Sequence, residues 1–320
     1  SIMSGDQCEK KLWFDINEPE KFEQKAVFLR GYRFEDEVRK IYAKNQEVLD
    51  LSPKKEKWIK PKERTEQAIN SKDINVIFEG AFESLNTLVR TDVLIRKKKG
   101  WELLEVKSST KLKPEHIKDI SIQSFIVKKC MKQLGHDLIT IKLIHINKYF
   151  TLKKEGNYEG LIDDEIDITE EINEEEIPNY IKDLITFTKK DSLCPNIKMG
   201  SHCNKPYNCN YKNRCKSLEA KKNITSYKIL PWCPEKLKKY CEEKKIVDLQ
   251  KVPVKYLLSN RKGFAENYHK KIQEVHKNNK PWFSENLKNI FKEFSFPFYF
   301  MDFEHVGQGV PIIKGTQPYF

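Results

Sequence analysis

The sequence predicts an α/β protein in which a small mixed sheet is flanked by helices. A helical stretch is followed by three short strand-like runs, a second helical stretch and a fourth alternating run. The chain has 320 residues, enough for about two domains. We therefore expect a sheet domain over residues 1–220, a helical connector over 221–293 and the first strand of a truncated second α/β domain over 294–320.

The first half of the expected sheet follows a long helix. Apolar residues recur at helical spacing over residues 21–45, with Gly31 as an interruption. Three runs rich in Val, Ile, Leu and Phe come next and predict strands, the last two of which are joined by a hairpin turn from Lys97 to Gly100. The three expected strands are residues 74–83, 86–96 and 101–107.

The remaining elements continue this alternation. Pro114 can open a helix that ends near Gly135, and residues 138–151 alternate as a strand. Residues 225–293 carry helical patterns interrupted by prolines, which predicts the connector. The aromatic run 296–303 is typical of a buried strand and would begin the second domain.

The charge of the chain favours an anionic partner. Lys and Arg total 59, Asp and Glu total 47, and the net charge of +12 is typical of proteins that bind nucleic acid. The sequence contains neither a membrane-length apolar run nor a secretory signal at its amino end, so we expect a cytoplasmic protein with no membrane partner. Candidates for phosphate contact, or for a solvated face, are Lys97, Lys98, Lys99, Lys111 and Lys113.

Two carboxylates and a lysine are expected to converge beside the hairpin. Counting back from the turn places Asp92 opposite Glu105, and strand periodicity places Lys107 on the same face. Opposed carboxylates repel each other, and a hard divalent cation between them reverses the sign of that interaction. Mg²⁺ or Mn²⁺ held in this way can activate water against a phosphodiester, with the lysine beside the developing charge. The alternative is a chance Glu-x-Lys, a tripeptide that recurs elsewhere in the chain.

These residues resemble the core of PD-(D/E)XK nucleases, and RecB-type nucleases in particular. The family has a restriction-endonuclease-like fold, and the resemblance implies that Asp92 and Glu105 bind metal and that Lys107 acts in catalysis. RecB-type members carry a Gly followed by a His or Glu on the preceding helix, which implies a metal-ligand role for Glu35, with Glu37 as a competitor. Gln123 matches the glutamine that these nucleases carry on the helix after the lysine strand and is assigned to the catalytic set.

The cysteines predict a second metal centre. Four of the eight cysteines fall between residues 194 and 215, in a polar segment with little apolar surface to order it. Without a secretory signal disulfides are not expected, and clustered thiolates then suggest a site for zinc or for an iron–sulfur cluster.

Iron–sulfur nucleases of the RecB type take one cysteine from near the start of the domain and three from near its end. By this resemblance the ligands of a [4Fe–4S] cluster are Cys8, Cys203, Cys209 and Cys215, and Cys194 is a substitute for Cys8. The cluster would tie the first helix to the end of the domain as a structural staple. Zinc remains the alternative metal.

The carboxyl end carries a further acidic pair. Asp302 and Glu304 would lie on one face of the strand predicted over 296–303, an arrangement suited to a two-metal site. The pair resembles the first motif of DnaQ-like exonucleases of the RNase H fold, whose sites need further acids from later segments. The whole chain thus looks like a bacterial family that joins a RecB-like nuclease to a DnaQ-like domain.

The sequence therefore predicts a metal-dependent nuclease that hydrolyses DNA, most simply an exonuclease. Two other functions remain open: a catalytically inactive module that binds nucleic acid, and a zinc-stapled interaction protein. The sequence does not identify a protein partner.

Overall fold

The computed structural model describes residues 2–20, 26–52, 60–189, 192–219, 224–259, 264–302 and 307–319. The chain divides into two compact units, one of Ser1–Lys212 with Glu304–Phe320 and one of Asn213–Phe303. The first unit contains a mixed sheet flanked by helices, which confirms the predicted α/β class.

Six strands form the sheet described in the first unit, and they lie in chain order. The first and second strands pair in parallel, as do the fourth and fifth, and the other neighbours are antiparallel. A parallel pair requires a crossover connection, and a long helix supplies it between the fourth and fifth strands. The strands are β1 (Val48–Asp50), β2 (Val76–Ser84), β3 (Thr87–Lys97), β4 (Gly100–Lys107), β5 (Leu138–His145) and β6 (Ile166–Asp167).

The predicted strand over 138–151 is too long. β5 ends at His145, because Asn147 starts a turn in which its side chain accepts a hydrogen bond from the backbone N–H of Tyr149. Asparagine forms such turns with its own backbone and so ends a strand where the apolar alternation alone would continue it.

Six helices are described in the first unit. Prolines occupy the first position of two of them, where the missing N–H has no helical partner to lose. The helix predicted over 21–45 passes through Gly31 without a break. The helices are α1 (Ile2–Gln7), α2 (Glu9–Asn17), α3 (Ala26–Ala43), α4 (Pro61–Asn70), α5 (Pro114–Gln133) and α6 (Ile177–Thr186).

Alternation along the strands gives the sheet two apolar faces. Leu94 and Leu103 belong to a cluster that includes residues of α4 and α5. Val93 and Leu104 point the other way, into a cluster with Phe34 of α3. Each fully buried side chain of this size contributes about 1.5–3 kcal/mol to folding, so the sheet and its flanking helices are held firmly together. Asp92 and Glu105, each two residues from one of these leucines, therefore have fixed positions on β3 and β4.

In the second unit the described regular elements are helices and short turns, the helical character expected of a connector. A small core holds it together, and Gln273 adds two hydrogen bonds to the backbone oxygens of Leu249 and Val252 at 2.7 and 2.8 Å. The helices are α7 (Lys212–Glu219, which begins one residue before this unit), α8 (Glu235–Glu243), α9 (Phe264–Asn278) and α10 (Leu287–Lys292).

The prediction of a buried strand over 296–303 is wrong for the part of this range that is described. Residues 296–302 form no strand, and Phe296 and Phe300 are 85% and 94% exposed. Alternating aromatic residues form a buried strand only where a neighbouring strand supplies hydrogen bonds, and the structure gives this run no such neighbour.

The carboxyl-terminal residues join the first unit. The backbone N–H of Leu152 donates to the oxygen of Thr316 at 3.0 Å, and Gly315 donates back to Leu152 at 2.8 Å. Val310 is buried in the cluster beside α3. The described residues 307–319 therefore extend the first unit, where the sequence had suggested the start of another domain. Within the described ranges, the helices all lack the length and apolarity needed to cross a bilayer.

Candidate active site

The hairpin brings Asp92 and Glu105 face to face, as predicted. The register pairs Val93 with Leu104, so the next residues, Asp92 and Glu105, lie opposite each other. The backbone N–H of Val106 donates to Oδ2 of Asp92 at 2.7 Å, which fixes this half-buried carboxylate against β4. Glu105 is only 4% exposed. The carboxylates are thus held by regular strand geometry and not by a loop.

Lys107 connects this strand to the crossover helix. Its Nζ lies 2.7 Å from Oε1 of Glu105 and 2.5 Å from Oδ2 of Asp119. Sequence reasoning missed Asp119, although the residue lies one helical turn before Gln123 and so shares its face of α5. That spacing was the available signal.

The two carboxylates are electrostatically strained. Burial raises the pKa of Asp92 well above its ordinary value, and the charges of Glu105 and Glu35 raise it further against the opposing effects of Lys107 and the Val106 N–H. Burial also raises the pKa of Glu105, while Lys107 lowers it. A positive charge placed between these acids would relieve the repulsion, which is the physical condition for binding a cation.

Lys107 remains charged in this environment. Burial alone would lower the pKa of its ammonium group, but the carboxylates of Glu105, Asp119 and Asp92 outweigh burial and raise the pKa above its ordinary value. The side chain is therefore a hydrogen-bond donor and a positive charge at neutral pH, not a general base.

Two buried oxygens of the site lack hydrogen-bond partners. These are Oε2 of Glu105 and Oε1 of Gln123. The side chain of Gln123 also acts on Glu105 and lowers the pKa of its carboxyl, so the two residues are neighbours. Buried oxygens with unused lone pairs suit a hard cation such as Mg²⁺. Among the described residues, however, no group of three or more His, Cys, Asp or Glu side chains forms a complete ligand set. Water or substrate oxygens would have to complete the shell.

The two glutamates proposed on α3, Glu35 and Glu37, have different surroundings. Glu35 acts directly on the pKa of Asp92, and its Oε2 lies 3.7 Å from an Nη of Arg39. Glu37 pairs instead with Lys40 one turn along the helix, at 2.6 Å. Glu35 is therefore the residue of α3 that reaches the carboxylate pair.

A distortion in β2 protects the site from a third opposed carboxylate. The register between β2 and β3 skips Glu79, which lies opposite Asp92 and has a left-handed φ of 56°. Its side chain pairs with Arg39 at 2.7 Å and with Nε of Arg90 at 3.2 Å. In ordinary strand geometry Asp92 would face like charges on both sides, which is destabilising. This left-handed residue was not predicted from the sequence.

Two buried histidines lie behind Lys107. His116 and His145 are 5% and 2% exposed, and their ring centroids are 5.7 Å apart. Both nitrogens of His145 and Nδ1 of His116 lack hydrogen-bond partners. Burial and then Lys107 lower the pKa of His116 to about 4, so both rings are neutral at neutral pH. Sequence reasoning missed this pair.

The five candidate lysines lie at opposite ends of the hairpin. Lys97 pairs with Gly100 five residues from Asp92, roughly 17 Å along the strand at about 3.4 Å per residue. Lys98 and Lys99 form the turn itself. Lys111 and Lys113 instead follow the end of β4 that carries Glu105 and Lys107, so these two are the candidates near the carboxylates.

Four of the cysteines, Cys8, Cys194, Cys203 and Cys209, lie in the first unit, but among the described residues no three or more Cys, His, Asp or Glu side chains are placed to hold a metal ion together. Cys8 caps the start of α2, and its charge raises the pKa of both Cys194 and Cys209, in each case after the larger effect of burial. Cys203 also acts on Cys209, and the backbone N–H of Cys209 donates to the oxygen of Cys203 at 2.9 Å. None of the eight cysteines, all of which lie in the described ranges, forms a disulfide. The fourth member of the predicted set, Cys215, lies on α7 and belongs to the second unit.

The loop that carries these thiols is fixed by one side chain. The Gln7 amide donates to the backbone oxygens of His202 at 2.8 Å, Lys205 at 3.2 Å and Tyr207 at 2.6 Å. Gln7 directly precedes Cys8, so the start of the chain and the cysteine loop are joined at the thiols themselves. This is the connection that the staple hypothesis requires.

The acidic pair at the carboxyl end does not form a described site. Asp302 is exposed in a segment without regular structure, and Glu304 lies outside the described residues. The chain matches no family model, no curated protein and no solved structure.

Proposed function

We propose that this chain is a divalent-metal-dependent nuclease of the PD-(D/E)XK superfamily, similar to RecB-type nucleases, and that it hydrolyses phosphodiester bonds of DNA. One observation carries the proposal: Lys107 bonds Glu105 on the same strand while Asp92 lies opposite with a strongly raised pKa. A sheet of this kind, with the carboxylates on its central hairpin, is what a restriction-endonuclease-like fold requires.

The donor set fits Mg²⁺ or Mn²⁺. Asp92 and Glu105 would hold the ion, and Glu35 would assist from α3. When bound, such an ion lowers the pKa of a water molecule and neutralises charge on the scissile phosphate. The unpartnered Oε2 of Glu105 is the oxygen with free capacity for this role.

The protein residues position the reacting groups. Glu105 and Asp119 hold the Lys107 ammonium from two sides, so Nζ is already fixed where negative charge develops on the phosphate. Burial raises the pKa of the Glu105 carboxyl, and Lys107 and then Gln123 oppose that rise. The neutral imidazole rings behind Lys107 add no competing charge.

The cysteine loop would hold a structural [4Fe–4S] cluster, with zinc as the alternative. Cys8 and Cys203 both act on Cys209; burial raises the pKa of Cys209 and of Cys194, and Lys11 and Lys10 respectively oppose that rise. Cationic neighbours favour thiolates, the form that binds metal. Cys194 and Cys215 are the two candidates for the remaining position. The cluster would order the loop and would not take part in hydrolysis.

The test is cleavage of labelled single- and double-stranded DNA by the full chain, purified without oxygen and supplied with Mn²⁺. We expect Asp92→Asn, Glu105→Gln and Lys107→Met each to lose at least ~100-fold in rate. Lys182→Met and Asp183→Asn, at exposed positions of α6, are the matched controls and should cleave normally.

Retained cleavage in the three site variants, unaffected by a chelator, would overturn the proposal. Salt-dependent DNA binding without turnover in any divalent metal would select the inactive binding module instead. Metal analysis of the same preparation separates a brown iron–sulfur protein from a colourless zinc protein.

A further inference from the structure

We propose that Tyr207 is a stacking platform for an unpaired base and that the site therefore prefers single-stranded or frayed DNA. The proposal rests on the nuclease function above and names its substrate class. It assigns a substrate-selecting role to the cysteine loop, from which the ring projects.

The ring is exposed beside the candidate active site. Tyr207 is 57% exposed, although large aromatic side chains normally bury most of their surface. The Nζ of Lys113 lies 5.8 Å from its ring centroid, and Lys113 is the residue that starts the crossover helix. Burial and then Glu115 raise the pKa of the Tyr207 hydroxyl, Lys107 lowers it and Asp119 raises it. The contact with Lys113 places the ring near the start of α5, the helix that carries Asp119.

The backbone that carries the ring is anchored by hydrogen bonds. The backbone oxygen of Tyr207 accepts a hydrogen bond of 2.6 Å from Gln7, and the same amide holds the oxygens of His202 and Lys205. The exposed ring thus stands on an anchored backbone close to Cys203 and Cys209. An anchored ring loses little freedom when a base stacks on it, so the stacking energy is available for binding.

An exposed tyrosine next to a lysine matches the chemistry of single-strand binding. Aromatic rings accept any base, because every base has a π face, and nearby cations hold the phosphates. In a duplex each internal base face is covered by its neighbours, so the ring can engage only a single strand or a frayed end. Placed beside Lys107, it would hold the base next to the scissile phosphate.

Tyr149 provides a matched control. It is 74% exposed, and Lys148 lies 4.6 Å from its ring centroid, so it has the same ring-and-lysine arrangement. It belongs to the turn after β5 and not to the cysteine loop. A general effect of losing an exposed ring would appear in both variants.

The experiment measures binding of the full chain, purified without oxygen, in the absence of divalent metal. The probes are a short single-stranded oligonucleotide carrying 2-aminopurine and the blunt duplex of the same strand with its complement. For Tyr207→Ala we expect roughly ten- to hundred-fold weaker binding of the single strand, loss of 2-aminopurine quenching and little change for the duplex. Tyr207→Phe should keep both affinity and quenching, and Tyr149→Ala should behave as the native chain.

Loss of binding could also follow from a disordered loop, so Tyr207→Leu and the iron content of each variant are measured in parallel. A leucine variant with native metal content that binds the single strand as tightly as the phenylalanine variant would overturn the proposal. So would native affinity in Tyr207→Ala. Tighter binding of an RNA probe than of DNA, with the same dependence on the Tyr207 ring, would support the stacking platform but identify RNA and not DNA as the substrate.

Failure of this inference is distinguishable from failure of the nuclease proposal. Single-strand binding that depends on Tyr207 without any cleavage in Mn²⁺ would remove the nuclease assignment and leave the platform. Cleavage that depends on Asp92 and Lys107 but not on Tyr207 would support the nuclease assignment and contradict the role of Tyr207 as a stacking platform.

Discussion

Lys107 donates to Asp119 across 2.5 Å and so connects the strand that carries the candidate catalytic residues to the helix that crosses behind it. The same ammonium lies 2.7 Å from Glu105. Because both acceptors are on packed elements, the charge has little freedom to move toward solvent. Asp119 is therefore a positioning residue for Lys107.

Asp119→Asn tests this relationship. Removing the Asp119 charge removes a contribution that raises the pKa of Lys107, so that pKa falls. We expect DNA cleavage in Mn²⁺ to slow about tenfold near neutral pH, and the same substitution to have no further effect when it is combined with Lys107→Met. Asp183→Asn is the control for both measurements. A further loss of rate in the double variant would show that Asp119 does not act through Lys107.

Asp92→Asn should stabilise the metal-free protein while removing activity. Burial, Glu105 and Glu35 raise the pKa of Asp92 in the folded chain, so its ionised form opposes folding and the stability it provides is lost as pH rises through that folded pKa. At neutral pH we expect a gain of roughly 1–2 kcal/mol in the free energy of unfolding with chelator present.

Urea unfolding with and without Mn²⁺ makes this measurement. Mn²⁺ should stabilise the native chain and have little effect on Asp92→Asn, since a ligand stabilises only the state that binds it. Equal stabilisation of both proteins by Mn²⁺ would place the ion elsewhere.

The part of the site on the hairpin could be predicted because strand periodicity is local. Once the turn at Lys98 and Lys99 is recognised, the pairing of Asp92 with Glu105 follows by counting. Asp119 could not be found in this way, because its contact with Lys107 depends on how α5 packs against the sheet. Glu79 could not be found either, since its left-handed φ depends on the arginines around it.

The predicted strand over 296–303 failed for a related reason. A run of alternating aromatic residues is compatible with a β-strand, but the pattern does not show whether another strand is available to pair with it. The exposure of Phe296 and Phe300 shows that the second unit provides none in its described part.

His116 should make the protein sensitive to acid. Burial and Lys107 lower its pKa from the ordinary 6.5 to about 4, so the neutral ring is favoured in the folded state. The stability it provides is fully present above pH 6.5 and is lost as pH falls toward about 4. The loss is on the order of 3 kcal/mol, at about 1.36 kcal/mol per pH unit.

His116→Gln, which has no titrating ring, should reduce the dependence of unfolding free energy on pH across this window. Urea unfolding of the native chain and the variant at several pH values makes the comparison. The His136 ring is exposed on the first unit, so His136→Gln is the control. Parallel pH curves for native and His116→Gln chains would refute the assignment.

Arg96 holds the end of α4 against the sheet. Its Nη2 donates to the backbone oxygens of Ala68, Ile69 and Ser71, and its guanidinium lies 4.2 Å from the ring centroid of buried Trp101. Lysine has neither the planar fork nor the stacking surface. We expect Arg96→Lys to lower the free energy of unfolding by about 2–4 kcal/mol, as measured by urea denaturation. A loss comparable to that of the exposed control Arg33→Lys would contradict this role.

The ligand set of the cysteine centre can be decided by iron content. Cys8 acts on the pKa of both Cys194 and Cys209, so Cys194 is a candidate for the fourth position beside Cys8, Cys203 and Cys209. The family resemblance instead assigns Cys215 in place of Cys194. Serine replacement at a true ligand removes a soft thiolate and leaves a cluster that is poorly held.

We expect Cys8→Ser, Cys203→Ser and Cys209→Ser each to lose most of the iron and the visible absorbance of the protein purified without oxygen. Comparison of Cys194→Ser with Cys215→Ser then identifies the fourth ligand, because only one of them should lose the cluster. Cys130→Ser is the control, since its thiol packs near the backbone oxygen of Glu83 and away from the loop. If the native chain contains zinc and no iron, the site binds zinc and not an iron–sulfur cluster. Full iron content in Cys8→Ser would contradict the proposal that Cys8 joins the start of the chain to the loop through the cluster.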